Sequence, residues 1–140
     1  SSVVDAQQKR QYLKRSLAYY EQIVNAKDEQ EFIKPSKKTE ASIFIALGLA
    51  RLEEIKKAKI LINTFICSKP QIALAHYIKA SIYCQENKME SFNIAFDSLQ
   101  KACSLNPNLK TKAFNNIDFR NLRASNIFQE KFYQLCQGES

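Results

Sequence analysis

The sequence predicts an all-α fold, and three observations carry the prediction. Glycine and proline are scarce, with 2 and 3 in 140 residues. Apolar residues recur three and four apart along most of the chain, the spacing of one helix face. The breaks between these stretches are short and polar. All-β folds need frequent turns, and those turns draw on Gly and Pro. Phosphate-cradling loops need clustered glycines, whereas Gly48 and Gly138 stand far apart. These features argue against β-sandwiches and nucleotide-binding α/β folds. At 45% hydrophobic and 25% charged residues, the composition is that of a folded domain. The length suits one domain over 1–140. Such a chain buries roughly 70% of the surface its unfolded form exposes.

The first helix is expected over 3–26. Val3, Ala6, Leu13, Leu17, Tyr20 and Val24 form its apolar stripe, and Lys9, Arg10, Lys14 and Arg15 belong to its polar side. Residues 27–38 are polar, contain Pro35 and read as a connection with one helical turn near 29–33. Thr39 is placed to cap a second helix over 40–52. A third helix is expected over 55–68, and Pro70 separates it from a fourth over 72–85. Asn87 and Lys88 break the pattern before a fifth over 91–105, which Asn106-Pro107 stops. A short helix over 109–114, a further turn over 118–122 and a last helix capped by Ser125 and ending at 136 complete the reading.

Charge and cysteine usage constrain the setting. Lys and Arg number 21 against 14 Asp and Glu, a net charge of +7. That balance permits an anionic partner without requiring one, because a solvated lysine-rich surface gives the same sum. Cys67, Cys84, Cys103 and Cys136 form no CxxC pair, and His76 is the sole histidine, so no metal set is expected. The thiols read as small buried hydrophobes in a reduced, cytoplasmic protein. The longest apolar run, 43–50, has eight residues, far below the roughly 18 of a membrane span. The chain starts Ser1-Ser2-Val3-Val4 without an initiator Met, so a removed leader and a periplasmic location stay open.

The chain also resembles itself. Ala46 and Leu49 return as Ala80 and Tyr83, 34 residues later. Ala58, Ile62 and Pro70 return as Ala95, Leu99 and Pro107, 37 residues later. Each unit is a helix, a turn, a second helix and a closing proline, with three extra residues near 87–94 in the second. Small residues let two helix backbones approach, and the larger ones fill the remaining gap. This order and period resemble the tetratricopeptide repeat family. Here the family's first-helix glycine is Ala46 and Ala80, and its aromatic is Ser42 and His76. Ala113, Asp118-Phe119, Leu122-Arg123 and Phe128 are similar to the closing segment of many bacterial arrays of this kind. The resemblance implies a short right-handed solenoid of helical hairpins. Its repeats would be 39–70 and 71–107, with caps at 3–26 and 108–136. Phe114, Phe119, Leu122, Phe128 and Phe132 would cover the last apolar face.

The resemblance also implies a concave groove. By register its lining falls on Ile43, Phe44, Leu47, Ala50 and Arg51 in one unit and on Tyr77, Ile78, Ser81, Cys84 and Gln85 in the other. These residues are mostly apolar, which disfavours a carboxylate clamp and suits an amphipathic helix or apolar peptide. The chain's own N-terminal helix, or a second copy, could instead fill the groove. No Ser-His-Asp or Cys-His arrangement is supported by spacing, and His76 reads as a surface or groove residue. Glu53, Glu54, Glu86, Glu90 and Asp97 are scattered and read as solvation. No enzyme activity and no cofactor are expected. The leading expectation is a protein–protein interaction scaffold. One alternative is RNA or DNA binding through Lys9, Arg10, Lys14 and Arg15, opposed by aromatics that follow core periodicity rather than forming a stacking platform. The other is self-association through the first helix.

Overall fold

Helical periodicity with so few glycines leaves the backbone little alternative to helix. The computed structural model of the protein describes residues 2–25 and 35–138. Among these there are eight α-helices, one 3-10 turn and no strand. The order is α1 (Ser2–Val24), α2 (Pro35–Arg51), α3 (Ile55–Ser68), α4 (Ala73–Cys84) and α5 (Met89–Leu105). Then come α6 (Leu109–Asn115), the 3-10 turn (Ile117–Phe119), α7 (Arg120–Ala124) and α8 (Gln129–Gln137).

Two expected caps are corrected. α2 starts at Pro35, so Thr39 lies within it and the expected connection is shorter. Proline suits the first helical position because its φ is preset and that N–H has no intrahelical partner anyway. The turn expected near 29–33 lies outside the described residues. α8 begins at Gln129 with no side-chain cap. The Ser125 carbonyl instead accepts the amides of Phe128 at 3.1 Å and Gln129 at 2.8 Å.

Both turns inside the helix pairs use left-handed residues. Glu53 has φ 69° and Asn87 has φ 55°. At the first turn, the Glu54 amide donates to Leu49 O and the Glu53 amide to Ala50 O. This is the six-to-one and five-to-two pairing that ends a helix at a left-handed residue, a place where glycine is usual. The chain uses a glutamate there.

The core runs continuously from Ile43 to Cys136. Ala46, Ala58, Ala80 and Ala95 have no exposed surface, and neither do Ala75, Ala102 and Ala113. α2 packs on α3 and on α4, α3 on α4, and α4 most extensively on α5. At the far end α6 and α7 pack on α8, and Phe119, Leu122, Phe128 and Phe132 are buried there. Phe114 is half-buried.

α1 stands apart from that core, and no described residue of it belongs to the continuous cluster. It packs antiparallel on α2. Tyr20 stacks on Phe44 with ring centres 5.7 Å apart, and Leu17 faces Gly48, where a β-carbon would lie 3.5 Å from its Cδ1. Leu13, Leu17, Tyr20 and Val24 are half-buried, and Ile23, outside the expected stripe, is buried. Residues 5–12, Ala6 included, are exposed. With Leu17 opposite Gly48, the first three turns of α1, about 16 Å, extend past the end of α2.

Candidate functional site

The inner positions of α2 and α4 do not form an open groove. Ile43, Leu47, Ala50, Tyr77, Ile78, Ser81 and Cys84 are buried. Phe44 is half-buried beneath Tyr20. Gln85 is half-buried, and its Nε2 has no hydrogen-bond partner. Arg51 alone of the ten is exposed. The expected apolar docking surface is therefore core.

Two elements cover it: Tyr20 of the N-terminal helix lies over Phe44 of α2, and the turn after α6 lies against Arg51, Tyr77 and Ser81. Asn116 folds the turn on itself, its Oδ1 accepting the Asp118 amide at 2.9 Å. Asp118 Oδ2 then accepts the Ser81 hydroxyl at 2.6 Å and the Arg51 guanidinium at 2.9 Å. Asn116 Nδ2 donates to Tyr77 Oη at 2.9 Å, and Phe119 meets the Tyr77 ring edge-on at 5.4 Å. From α7, Arg123 donates to the Asn116 carbonyl at 2.6 Å. The bonds to Ser81 and Tyr77 satisfy polar groups of buried residues, which holds the turn in place.

Local electrostatics follow burial. Desolvation raises the Tyr77 pKa; the Asn116 bond opposes it and the Asp118 charge adds to it. Burial, helped by Asp118, pushes Cys84 up to about 12. Burial raises Cys103 and pushes Cys136 up to about 11. These three thiols stay protonated near neutrality and are unreactive. Cys67 corrects the expectation of four core thiols, because it is exposed. His76 is neither a surface nor a groove residue: it is buried, with Nε2 2.7 Å from the Pro70 carbonyl, and pins the turn between α3 and α4.

A second polar cluster ties α3, α4 and α5 together. Glu86 pairs with Lys59 and accepts the Ser91 hydroxyl at 2.7 Å. Burial alone would raise its pKa, but the Lys59 and Ser91 bonds and nearby positive charge hold it below the ordinary value. Asn63 donates to Tyr83 Oη at 2.9 Å, with Lys59 and Lys79 over the Tyr83 ring. Glu86 is thus a structural partner rather than a solvating carboxylate.

The basic residues behave differently. Lys9, Arg10, Lys14 and Arg15 are all exposed on α1. Arg10 and Arg15 line one surface depression of about 590 Å³ with Gln7, Gln8, Gln11 and Tyr12. Arg15 and Tyr12 line a second of about 470 Å³ with Ser16, Tyr19 and Tyr20. Lys9 and Lys14 line neither. Tyr12 and Tyr19 are 70% and 55% exposed, so they are not core aromatics.

Sequence reasoning missed the part Asp118 plays. Its only sequence signal was membership of the Asp-Phe pair in the closing segment. Among the described residues no group of His, Cys, Asp and Glu could hold a metal ion, and no helix is long and apolar enough to cross a membrane. No family model matches the chain, and neither a curated protein nor a solved structure matches it.

Proposed function

We propose that the chain is a short right-handed solenoid of tetratricopeptide-like hairpins, acting as a non-catalytic scaffold for a protein partner. The succession of contacts, α2 on α3, α3 on α4, α2 on α4 and α4 on α5, supports stacked helix pairs. The fully buried Ala46, Ala58, Ala80 and Ala95 supply the close approaches such stacking needs. In this reading α2–α3 and α4–α5 are the two units. α1 caps one end, and the segment from α6 to α8 closes the other.

With the inner face filled, the partner docks on the outer face of α3. One observation carries this: Ile60 is 69% exposed and Leu61 37%, while Ala58 and Ile62 of the same helix have no exposed surface. Exposed Thr64 and Cys67 continue the strip, and exposed Lys56 and Lys57 stand at its head. An amphipathic helix with aliphatic residues and an acidic end fits this strip. The test is capture of a partner from the source cells by the full chain and by Ile60→Glu/Leu61→Glu. Both positions are exposed, so the variant is expected to keep its helix content and melting temperature. Loss of the partner is the expected result, and undiminished capture contradicts the reading.

A further inference from the structure

The exposed side of α1 carries chemistry that neither the core nor the α3 strip uses. Gln8, Tyr12, Arg15 and Tyr19 follow one another at four, three and four residues, so they share one helix face. Tyr12 and Tyr19 are separated by about 10.5 Å along the axis, the length of about three stacked bases. Both rings are open to solvent, at 70% and 55%. Tyr19 is positioned from beneath: it meets Tyr20 edge-on at 5.8 Å, and Tyr20 stacks on Phe44. The two depressions on this surface share Tyr12 and Arg15, and among the described residues both are lined by α1 alone. Lys9, Arg10, Lys14 and Arg15 stand against a single acid, Asp5, between residues 5 and 19.

We infer that this face of α1 binds single-stranded RNA, with bases stacked on Tyr12 and Tyr19 and the phosphates met by Arg15 on the same face and by Arg10 from the flank of the depression the two line. Two exposed rings with a guanidinium between them make a sequence-tolerant stacking platform, and the excess of cations supplies the complementary charge. The amides of Gln7, Gln8 and Gln11, beside Tyr12, offer donors and acceptors to ribose hydroxyls. This surface is distinct from the α3 strip, so the two readings stand or fall separately.

The test is fluorescence anisotropy of an unpaired, mixed-sequence RNA of about twelve nucleotides with the full chain, at about 50 mM salt and upward. Binding is expected to weaken steadily with salt. Tyr12→Ala/Tyr19→Ala is expected to lose about tenfold or more in affinity. Tyr12→Phe/Tyr19→Phe, which keeps the rings, is expected to bind like the unaltered chain and guards against loss of helix in the alanine variant. Arg10→Glu/Arg15→Glu is expected to abolish binding. DNA of the same sequence is expected to bind more weakly. The inference is overturned by no binding at low salt, by an unchanged affinity in the alanine variant, by a loss in the phenylalanine variant, or by equal affinity for DNA. Competition by polyglutamate as effective as that by RNA also overturns it, because an acidic peptide would then suffice.

Discussion

Asp118 Oδ2 accepts the hydroxyl of Ser81 at 2.6 Å, although 37 residues separate the two along the chain. Arg51 reaches the same oxygen from 67 residues away. One carboxylate thereby ties the ends of α2 and α4 to the turn before α7. Ser81 has 1% of its surface exposed, so its hydroxyl has no ready substitute in water. Asp118→Ala is expected to cost about 1–3 kcal/mol, the usual penalty for stranding a buried polar group. Urea unfolding measures it. A cycle with Ser81→Ala should show that the two losses do not add, since each removes the same bond.

The left-handed Glu53 yields a prediction of opposite sign. Its φ of 69° is one a side chain disfavours by about 1–2 kcal/mol. Glycine adopts it freely but gives up more entropy on folding. Glu53→Gly is therefore expected to raise stability by roughly 1 kcal/mol, read as a higher urea midpoint at constant slope. The same substitution at an exposed helical position, Glu90, should lower it.

The repeat alanines are packed on all sides. Ala58→Leu or Ala80→Leu would force the helices apart and is expected to cost about 1–3 kcal/mol or more in thermal unfolding. Ala18→Leu, at an exposed position of α1, is expected to leave stability nearly unchanged.

The raised thiol of Cys84 contributes to the alkaline behaviour, alongside Cys103, Cys136 and Tyr77. Its unfolded form ionises above 9.0, while the folded form holds its proton until about 12. Protons therefore leave the unfolded state first, so stability present below pH 9 declines as pH rises toward 12. The slope approaches about 1.4 kcal/mol per pH unit for this group. Cys84→Ala should flatten the decline between pH 9 and 11 in urea unfolding under reducing conditions. An unchanged slope contradicts the assignment.

The helices were legible because their signals are local. α3 runs from Ile55 to Ser68 as its spacing indicates, and the breaks at Asn87 and Asn106-Pro107 lie where polar turn residues interrupt the period. In the sequence Pro35 reads as part of a connection because proline marks both loops and first turns, and only the surrounding backbone decides between them. The register of α2 and α4 marks their inner positions as apolar, and most of them are buried. Periodicity identifies a face, not what covers it. The cover arrives from Tyr20 on α1 and from residues 116–119, the latter through contacts that span 37 to 67 positions. Tyr12 and Tyr19 show the converse. A seven-residue spacing satisfies the helical period whether the face is buried or bare, and here it is bare.

The account rests most heavily on the inner face of α4 being covered by Asn116–Phe119. Native-state hydrogen exchange at the Phe119 amide, which donates to the Asn116 carbonyl at 3.1 Å, tests this most directly. If the turn is part of the core, that amide exchanges only through the same opening as the amides of α4, with the same dependence on urea. Exchange within minutes, with α4 still protected, would mean that the turn lifts away and that the groove behind it is open after all.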